Sequence, residues 1–342
     1  MKNDHDFMHR CIQLAKKAYG HVSPNPMVGS VIVYKGKIIS EGYHKFYGKE
    51  HAEVNAINNV KNKDLLRYST LYVNLEPCSH FGNTGPCSDF IIQHNINRVV
   101  VGCIDTSSKV SGKGIAKMRE NGIQVDVGLL DEECQFLNRR FLNFHKNKRP
   151  YIILKWAESQ DGFIAPINQT KPFWMTSEKS KKLVHKWRSE EDAILVGRIT
   201  AEKDNPSLTV REVSGRNPIR LVIDKDLKLS EHLNLFNSES KTILFNEIKS
   251  DNFSKNNYIK INFNNMINNI LKELYKQDVQ SVIIEGGATT LQSFIKENIW
   301  DEARIFTTDI KLENGVKSPV IKGRKLSETQ IKTDLLEIIL ND

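Results

Sequence analysis

At 342 residues the chain is longer than one typical domain, so two domains are expected, each long enough to bury its own core. Its 39% hydrophobic and 26% charged residues are ordinary for a globular protein, and no apolar run approaches bilayer-spanning length. Met1-Lys2-Asn3-Asp4-His5-Asp6 also lacks the apolar segment of a signal peptide, so no membrane partner is expected and the cytoplasm is the expected location. The net charge of +8 is dispersed, and basic runs such as Lys179 to Lys182 fall where a solvated helix surface is expected, which disfavours nucleic acid as a partner.

Phe7, Met8, Cys11, Ile12, Leu14, Ala15 and Ala18 recur at helical spacing and stop at Gly20. Residues 28–34 and 37–42 read as a β-hairpin around Lys35-Gly36. A helix is expected to open at His51, a strand to cover 70–75, and Pro86 to sit in the first turn of a helix reaching His94. Residues 98–104 read as a buried strand, 114–121 as a helix closed by Gly122, and 131–144 as another helix. The polar run His145-Lys146-Asn147-Lys148-Arg149-Pro150 is the best candidate linker, giving a first domain over 1–146, a linker over 147–150 and a second domain over 151–342. There the pattern restarts, with a strand over 151–157, a helix over 178–187 and strands over 193–197, 219–224, 242–246, 281–285 and 304–308. The Asn-rich stretch 251–269 reads as a surface excursion, and no fixed-period repeat is present.

Five cysteines without an export signal point to thiols and metal ligands rather than to a disulfide framework. Cys11, Cys103 and Cys134 lie in apolar patterns and read as core residues. Cys78 and Cys87 differ, because each follows a proline, each falls at an expected helix start, and both come after His51-Ala52-Glu53. One imidazole and two thiolates suffice for a zinc ion that keeps its fourth position for water, as catalytic sites do. Backbone N–H groups at a helix start stabilise the thiolates, and Glu53 can carry protons. His44 or His80 as a fourth ligand would instead make the site structural. The order is that of the zinc nucleobase deaminases, H-x-E followed by P-C-x-x-C, with a longer gap between the cysteines.

Asn25-Pro26-Met27-Val28-Gly29, Gly42-Tyr43-His44, His51-Ala52-Glu53 and Glu76-Pro77-Cys78-Ser79-His80-Phe81-Gly82, closing at Cys87, resemble the deaminase domain of the bifunctional deaminase/reductase family of riboflavin biosynthesis. The resemblance continues through Ser159-Gln160-Asp161-Gly162, Trp174-Met175-Thr176, Arg188, the run from Asp192 to Gly197, Thr200, Asp204-Asn205-Pro206, Leu208-Thr209-Val210-Arg211 and Glu285-Gly286-Gly287. It implies an α/β protein in which an N-terminal cytidine-deaminase-like α/β/α domain is followed by a dihydrofolate-reductase-like α/β domain. It also implies Zn2+ on His51, Cys78 and Cys87, Glu53 as the catalytic residue, and Asn25, His44 and His80 against the deaminase substrate. In the second domain Ala157, Trp174, Thr200, Asp204, Gly286 and Gly287 would meet NADPH, while Lys155, Arg188, Leu208, Arg211 and Glu285 would meet the phosphorylated substrate. The reactions implied are hydrolytic deamination of 2,5-diamino-6-(5-phosphoribosylamino)pyrimidin-4-one and NADPH-dependent reduction of its ribosyl group to ribityl. A homo-oligomer acting on a small phosphorylated pyrimidine is expected.

Taken alone, Gly286-Gly287 is either a tight strand-to-helix turn or a cradle for a pyrophosphate, and the absence of G-x-G-x-x-G leaves a Rossmann reading without support. Asn83, Gly85, Thr106-Ser107-Ser108 and Pro172 depart from the family's usual residues, which bears on grip on the substrate rather than on reaction type. Two other readings are a polynucleotide deaminase fused to an unrelated domain and a non-catalytic zinc-stabilised binding module. The first needs gathered basic charge with aromatics for a flipped base, the second a zinc with four protein ligands.

Overall fold

The computed structural model describes residues 3–81, 85–107, 111–167, 173–252 and 256–341, so Asn83, Ser108 and Pro172 lie outside the described residues. The chain divides into two compact units, Met1–Lys148 and Arg149–Asp342.

The first unit comprises α1 (Asp4–Ala15), β1 (Gly29–Tyr34), β2 (Lys37–Tyr43), α2 (Ala52–Asn58), β3 (Thr70–Leu75), α3 (Cys87–Gln93), β4 (Arg98–Cys103), α4 (Lys113–Glu120), β5 (Gln124–Val127), α5 (Asp131–Leu137) and α6 (Arg139–Asn147). Its sheet runs β2-β1-β3-β4-β5, antiparallel across β2, β1 and β3 and parallel across β3, β4 and β5. Successive strand residues face opposite layers, as a pleated sheet requires. Val31, Tyr72 and Val100 pack with α1, α5 and α6, while Ile32, Leu71, Val73, Val99 and Val101 pack with α2, α3 and α4. Hence the strands are apolar on both faces, and the unit is an α/β/α sandwich.

The second unit comprises β6 (Tyr151–Glu158), β7 (Phe163–Ala165), α7 (Glu178–Glu190), β8 (Ala193–Gly197), α8 (Arg198–Asp204), β9 (Ile219–Ile223), β10 (Thr242–Asn246), β11 (Asp251–Asn252), β12 (Asn256–Lys260), α9 (Met266–Lys276), β13 (Ser281–Ile284), α10 (Ala288–Lys296), β14 (Glu302–Thr307), β15 (Val316–Lys317), β16 (Arg324–Ile331) and β17 (Asp334–Leu340). The main sheet runs β11-β12-β10-β9-β8-β13-β6-β14-β17-β16, parallel from β12 to β14 and antiparallel at both edges. Ile152, Leu154, Leu195, Phe245 and Ile284 face α9 and α10; Ile153 and Ile283 face α7; Val196 and Val222 face α8.

Several expectations are corrected. The helix expected over 131–144 breaks at Asn138, whose buried side chain grips the backbone of Met27 with N–H to Oδ1 at 2.8 Å and Nδ2 to O at 3.0 Å. The expected linker is partly helix, since α6 continues through Asn147 and ends on Lys148 in the left-handed region. The Asn-rich stretch is not a surface excursion: β12 extends the sheet, and the buried Ile261 and Ile267 anchor the segment leading into α9. Polar composition hid a strand and a helix start whose few apolar residues all point inward. Among the described residues, no helix is long and apolar enough to cross a membrane.

Candidate active sites

In the first unit the β2–α2 and β3–α3 connections build the site. His51 is the N-cap of α2, and α2 lies so close on β2 that a Cβ at Gly42 would sit 2.3 Å from the Ala56 nitrogen. Gly42 therefore sets the depth at which His51 and Glu53 stand. Cys87 opens α3, but Cys78 lies in the connection before it, which corrects the expectation of a helix start there. It still receives a helix N–H, because the Cys87 nitrogen donates to its Sγ at 3.4 Å.

His51 Nδ1 is 3.2 Å from Cys87 Sγ and 3.6 Å from Cys78 Sγ, and the three ligand atoms lie within 4.8 Å of one another. A hydrogen bond from the Cys87 thiol, reinforced by His51 and the Cys87 N–H against the effect of burial, brings Cys78 down to about 4. The same shared proton, together with burial, drives the Cys87 thiol up. A soft dication would displace that proton and take both sulfurs as thiolates, so one nitrogen and two sulfurs at this spacing fit zinc. Neither His44 nor His80 joins the group of potential ligands among the described residues, which leaves the fourth position open.

Glu53 is 3% exposed, and burial raises its pKa to about 7 despite the opposing field of His51. His44 is fixed as a neutral ring: its Nδ1–H donates to the Glu50 carbonyl at 3.0 Å, its Nε2 accepts from Asn25 Nδ2 at 3.1 Å, and burial lowers its pKa. Asn25 in turn sits on a clamped loop, since Asn74 accepts from the Gly29 nitrogen at 2.8 Å and donates to the Met27 carbonyl at 3.1 Å. His80 is exposed. Glu76 accepts backbone N–H groups of Asp105, Gly112, Gly114 and Ile115, tying the start of α4 to the end of β3.

In the second unit a cavity of about 840 Å³ opens at the carboxyl ends of β6, β8 and β13, where parallel sheets present ligands to loops and helix starts. Lys155, Ala157, Trp174, Arg188, Thr200, Asp204, Leu208, Arg211, Glu285 and Gly287 all line it. Gly286 does not; a Cβ there would meet Val196 Cα at 2.9 Å, so it lets the turn close onto β8. Gly287 adopts φ +57° and caps α10.

Arg188 and Glu285 form a bidentate pair, Nη2 to Oε2 at 2.6 Å and Nε to Oε1 at 3.2 Å, with both side chains nearly buried. Burial opposes ionisation of Glu285, yet Arg188 and Lys155 overcome it and hold the carboxyl at about 2. Lys155 is lowered by burial, an effect that Glu285 resists and Arg188 reinforces. Leu208 is buried at φ +53°, a conformation that costs an L-residue energy and is held by its surroundings. Trp174 is 61% exposed, with Lys181 Nζ at 5.5 Å from its ring centroid. Lys181 is thus not simply a solvated lysine: it lines the cavity and pairs with Glu212 at 2.9 Å.

Residues 150–333 match the family model of the RibD C-terminal domain, and residues 1–103 that of the cytidine and deoxycytidylate deaminase zinc-binding region. The riboflavin biosynthesis protein RibD of Aquifex aeolicus (strain VF5) is 39% identical over 334 residues, covering 95% of this chain and 92% of that protein. The chain belongs to the RibD family. The Escherichia coli (strain K12) RibD is 31% identical, with 89% of this chain and 87% of that protein covered. A crystal structure of a diaminohydroxyphosphoribosylaminopyrimidine deaminase/5-amino-6-(5-phosphoribosylamino)uracil reductase from Thermotoga maritima has a TM-score of 0.90 at 35% identity, covering 98% of each chain. The RibD match spans both units, so the chain is a bifunctional deaminase and reductase of riboflavin biosynthesis, and neither the polynucleotide nor the non-catalytic reading is favoured.

Sequence reasoning misses Asn74 and Asn138, which act on backbone far away in the chain and leave no local pattern, and it holds Glu76 only as part of a motif, without its grip on the start of α4. It also misses His185, which lines the cavity. The spacing of His185, Arg188 and Lys181 on one helix face could have found it.

Proposed function

We propose that the first unit deaminates 2,5-diamino-6-(5-phosphoribosylamino)pyrimidin-4-one at His51, Cys78, Cys87 and Glu53, and that the second reduces the ribosyl group of the product in the cavity around Lys155, Arg188 and Glu285. The observation that carries the reading is the approach of one nitrogen and two sulfurs to within 4.8 Å beside a buried carboxyl. Zinc held by His51, Cys78 and Cys87 would supply a water with its pKa brought toward neutrality as the nucleophile for C2. Glu53, buried beside the three ligands, accepts a proton on its carboxylate and delivers it to the departing amine. Asn25 and His44, held in register by their mutual hydrogen bond, orient the pyrimidine, with His80 at the exposed side of the site.

NADPH bound in the cavity of the second unit would supply the hydride for C1 of the ring-opened ribosylamine. Gly287 and the first N–H groups of α10 suit its pyrophosphate, with Gly286 setting their position, while Thr200, Asp204, Ala157 and Trp174 would contact the remainder. Lys155, Arg188, Leu208, Arg211 and Glu285 would hold the substrate, the Arg188–Glu285 fork fixing the guanidinium before the ligand arrives. The reading also takes the protein as a cytoplasmic homo-oligomer. Its five free cysteines suit a reducing compartment, and light scattering would give the assembly state.

Mass spectrometry of the diaminopyrimidine nucleotide incubated with the full chain tests the reading. Without NADPH the product should have exchanged NH for O, and with NADPH it should also have gained two hydrogens. No mass change in zinc-loaded protein would overturn it.

A further inference from the structure

His185 lies on α7 one turn before Arg188 and lines the reductase cavity although only 1% of its surface is exposed. Its Nδ1 accepts the backbone N–H of Arg211 at 3.1 Å. A neutral ring that accepts at Nδ1 must carry its proton on Nε2. Burial, followed by the charges of Arg188 and Arg211, presses its pKa down to about 4, so the ring is neutral at physiological pH. Nε2 makes no hydrogen bond to another described residue, and because it is not among the fully enclosed atoms left without a partner, it borders the cavity that His185 lines. A confined donor left this way gains when a ligand brings an acceptor.

The neighbours define that acceptor. Lys181, Arg188 and Arg211 line the same cavity. Glu212 offsets the first and Glu285 the second, while the Arg211 guanidinium donates to Thr209 Oγ1 at 3.2 Å. A neutral donor next to an arginine whose guanidinium meets only a hydroxyl among the described residues suits an anionic oxygen, where a second protonated group would add repulsion. We propose that His185 is a further substrate-binding residue of the reductase, donating from Nε2 to an oxygen of the substrate's phosphate beside Arg211.

The inference rests on the reading of this cavity as the reductase site. Reduction of 5-amino-6-(5-phosphoribosylamino)uracil by the zinc-loaded full chain tests that reading, and its comparison with the dephosphorylated nucleoside tests the inference. His185→Leu removes both the Nε2 donor and the acceptor for Arg211. His185→Asn keeps an acceptor near Nδ1 but cannot reach the position of Nε2, and it retains the polar contact if the leucine variant fails to fold. Both variants should raise KM for the phosphorylated substrate by about tenfold or more, the size of a hydrogen bond to a charged group. KM for NADPH, KM for the nucleoside and the deaminase rate should stay as in the parent.

Parent-like KM in His185→Asn with a raised KM in His185→Leu would show that the ring acts only by holding Arg211, and would overturn the proposal. Equal losses on nucleoside and nucleotide, or a rise in KM for NADPH instead, would also overturn it. If the parent protein reduces neither compound, the reading of the cavity itself fails.

Discussion

The two sites of this protein are built in different ways. The proposed deaminase site would take its metal ligands and its carboxyl from two short segments, 51–53 and 78–87, where three potential donor atoms lie within 4.8 Å of one another. The reductase cavity draws on the end of β6, the segment before α7, α7 itself, α8 with the loop behind it, and the turn after β13, around some 840 Å³. A metal ion needs particular atoms at bonding distance, so it leaves little freedom of residue type. A dinucleotide and a phosphorylated sugar need shape, backbone N–H groups and charge at several points, each supplying part of the grip. The first site should therefore fail abruptly when one residue changes, and the second by degrees.

The largest effect should come from Cys78→Ser. The zinc content of the purified chain should fall from one per protein toward none and deamination should cease, while reduction of the deaminated intermediate persists. Loss of both activities from a folded protein would break the comparison, because it would mean that the two sites do not act separately.

Arg188→Leu comes next and concerns stability as well as binding. Removing one partner of a buried ion pair leaves Glu285 in a confined site with Lys155 as its remaining nearby cation, a loss of about 3 to 5 kcal/mol. The four tryptophans, Trp156, Trp174, Trp187 and Trp300, all lie in the second unit, so their fluorescence reports its unfolding alone. The midpoint of the fluorescence transition should drop while zinc content holds. An unchanged midpoint would mean that Lys155 neutralises Glu285 well enough without Arg188.

Most of the strands and the candidate deaminase site are legible in the sequence for a common reason: the signals are local. Strands β3, β8 and β10 fall on the residues that their apolar runs mark. His51, Glu53, Cys78 and Cys87 stand out because their residue types are rare and their order is specific. The break at Asn138 is invisible because its cause, a grip on Met27, lies 111 residues away. The order of the ten-stranded sheet is likewise set by which edges pair, a property of packing. In the second unit the family resemblance, rather than any pattern in the residues themselves, picks out the cavity set. Arg188 or Trp174 alone reads as an ordinary surface or core residue.

Glu53→Gln sharpens the comparison within the first site. It keeps the size of the side chain and removes the proton carrier, so deamination should fall about a hundredfold or more. Zinc content, measured by atomic absorption, should stay at one per chain, and reduction should be unaffected. A variant that loses zinc in proportion to activity would place Glu53 among the ligands and make the two roles one.

The smallest effect is expected from acid, and it concerns the second unit. Glu285 has a folded pKa of about 2 against an ordinary 4.5, so its contribution is complete above 4.5 and is lost as pH falls through 2. His185 has a folded pKa of about 4 against 6.5. The folded state resists the proton that the unfolded chain takes up, so this contribution is complete above 6.5 and declines as pH falls toward 4. Between pH 6.5 and about 4.5 the histidine should dominate, with a slope of at most about 1.4 kcal/mol per pH unit. Denaturant titrations followed by tryptophan fluorescence should show that slope in the parent protein. His185→Asn should flatten it and leave the steeper loss below pH 4.5, where Glu285 begins to protonate in the unfolded chain. The same slope in both proteins would assign the acid sensitivity to other groups and leave His185 with no part in it.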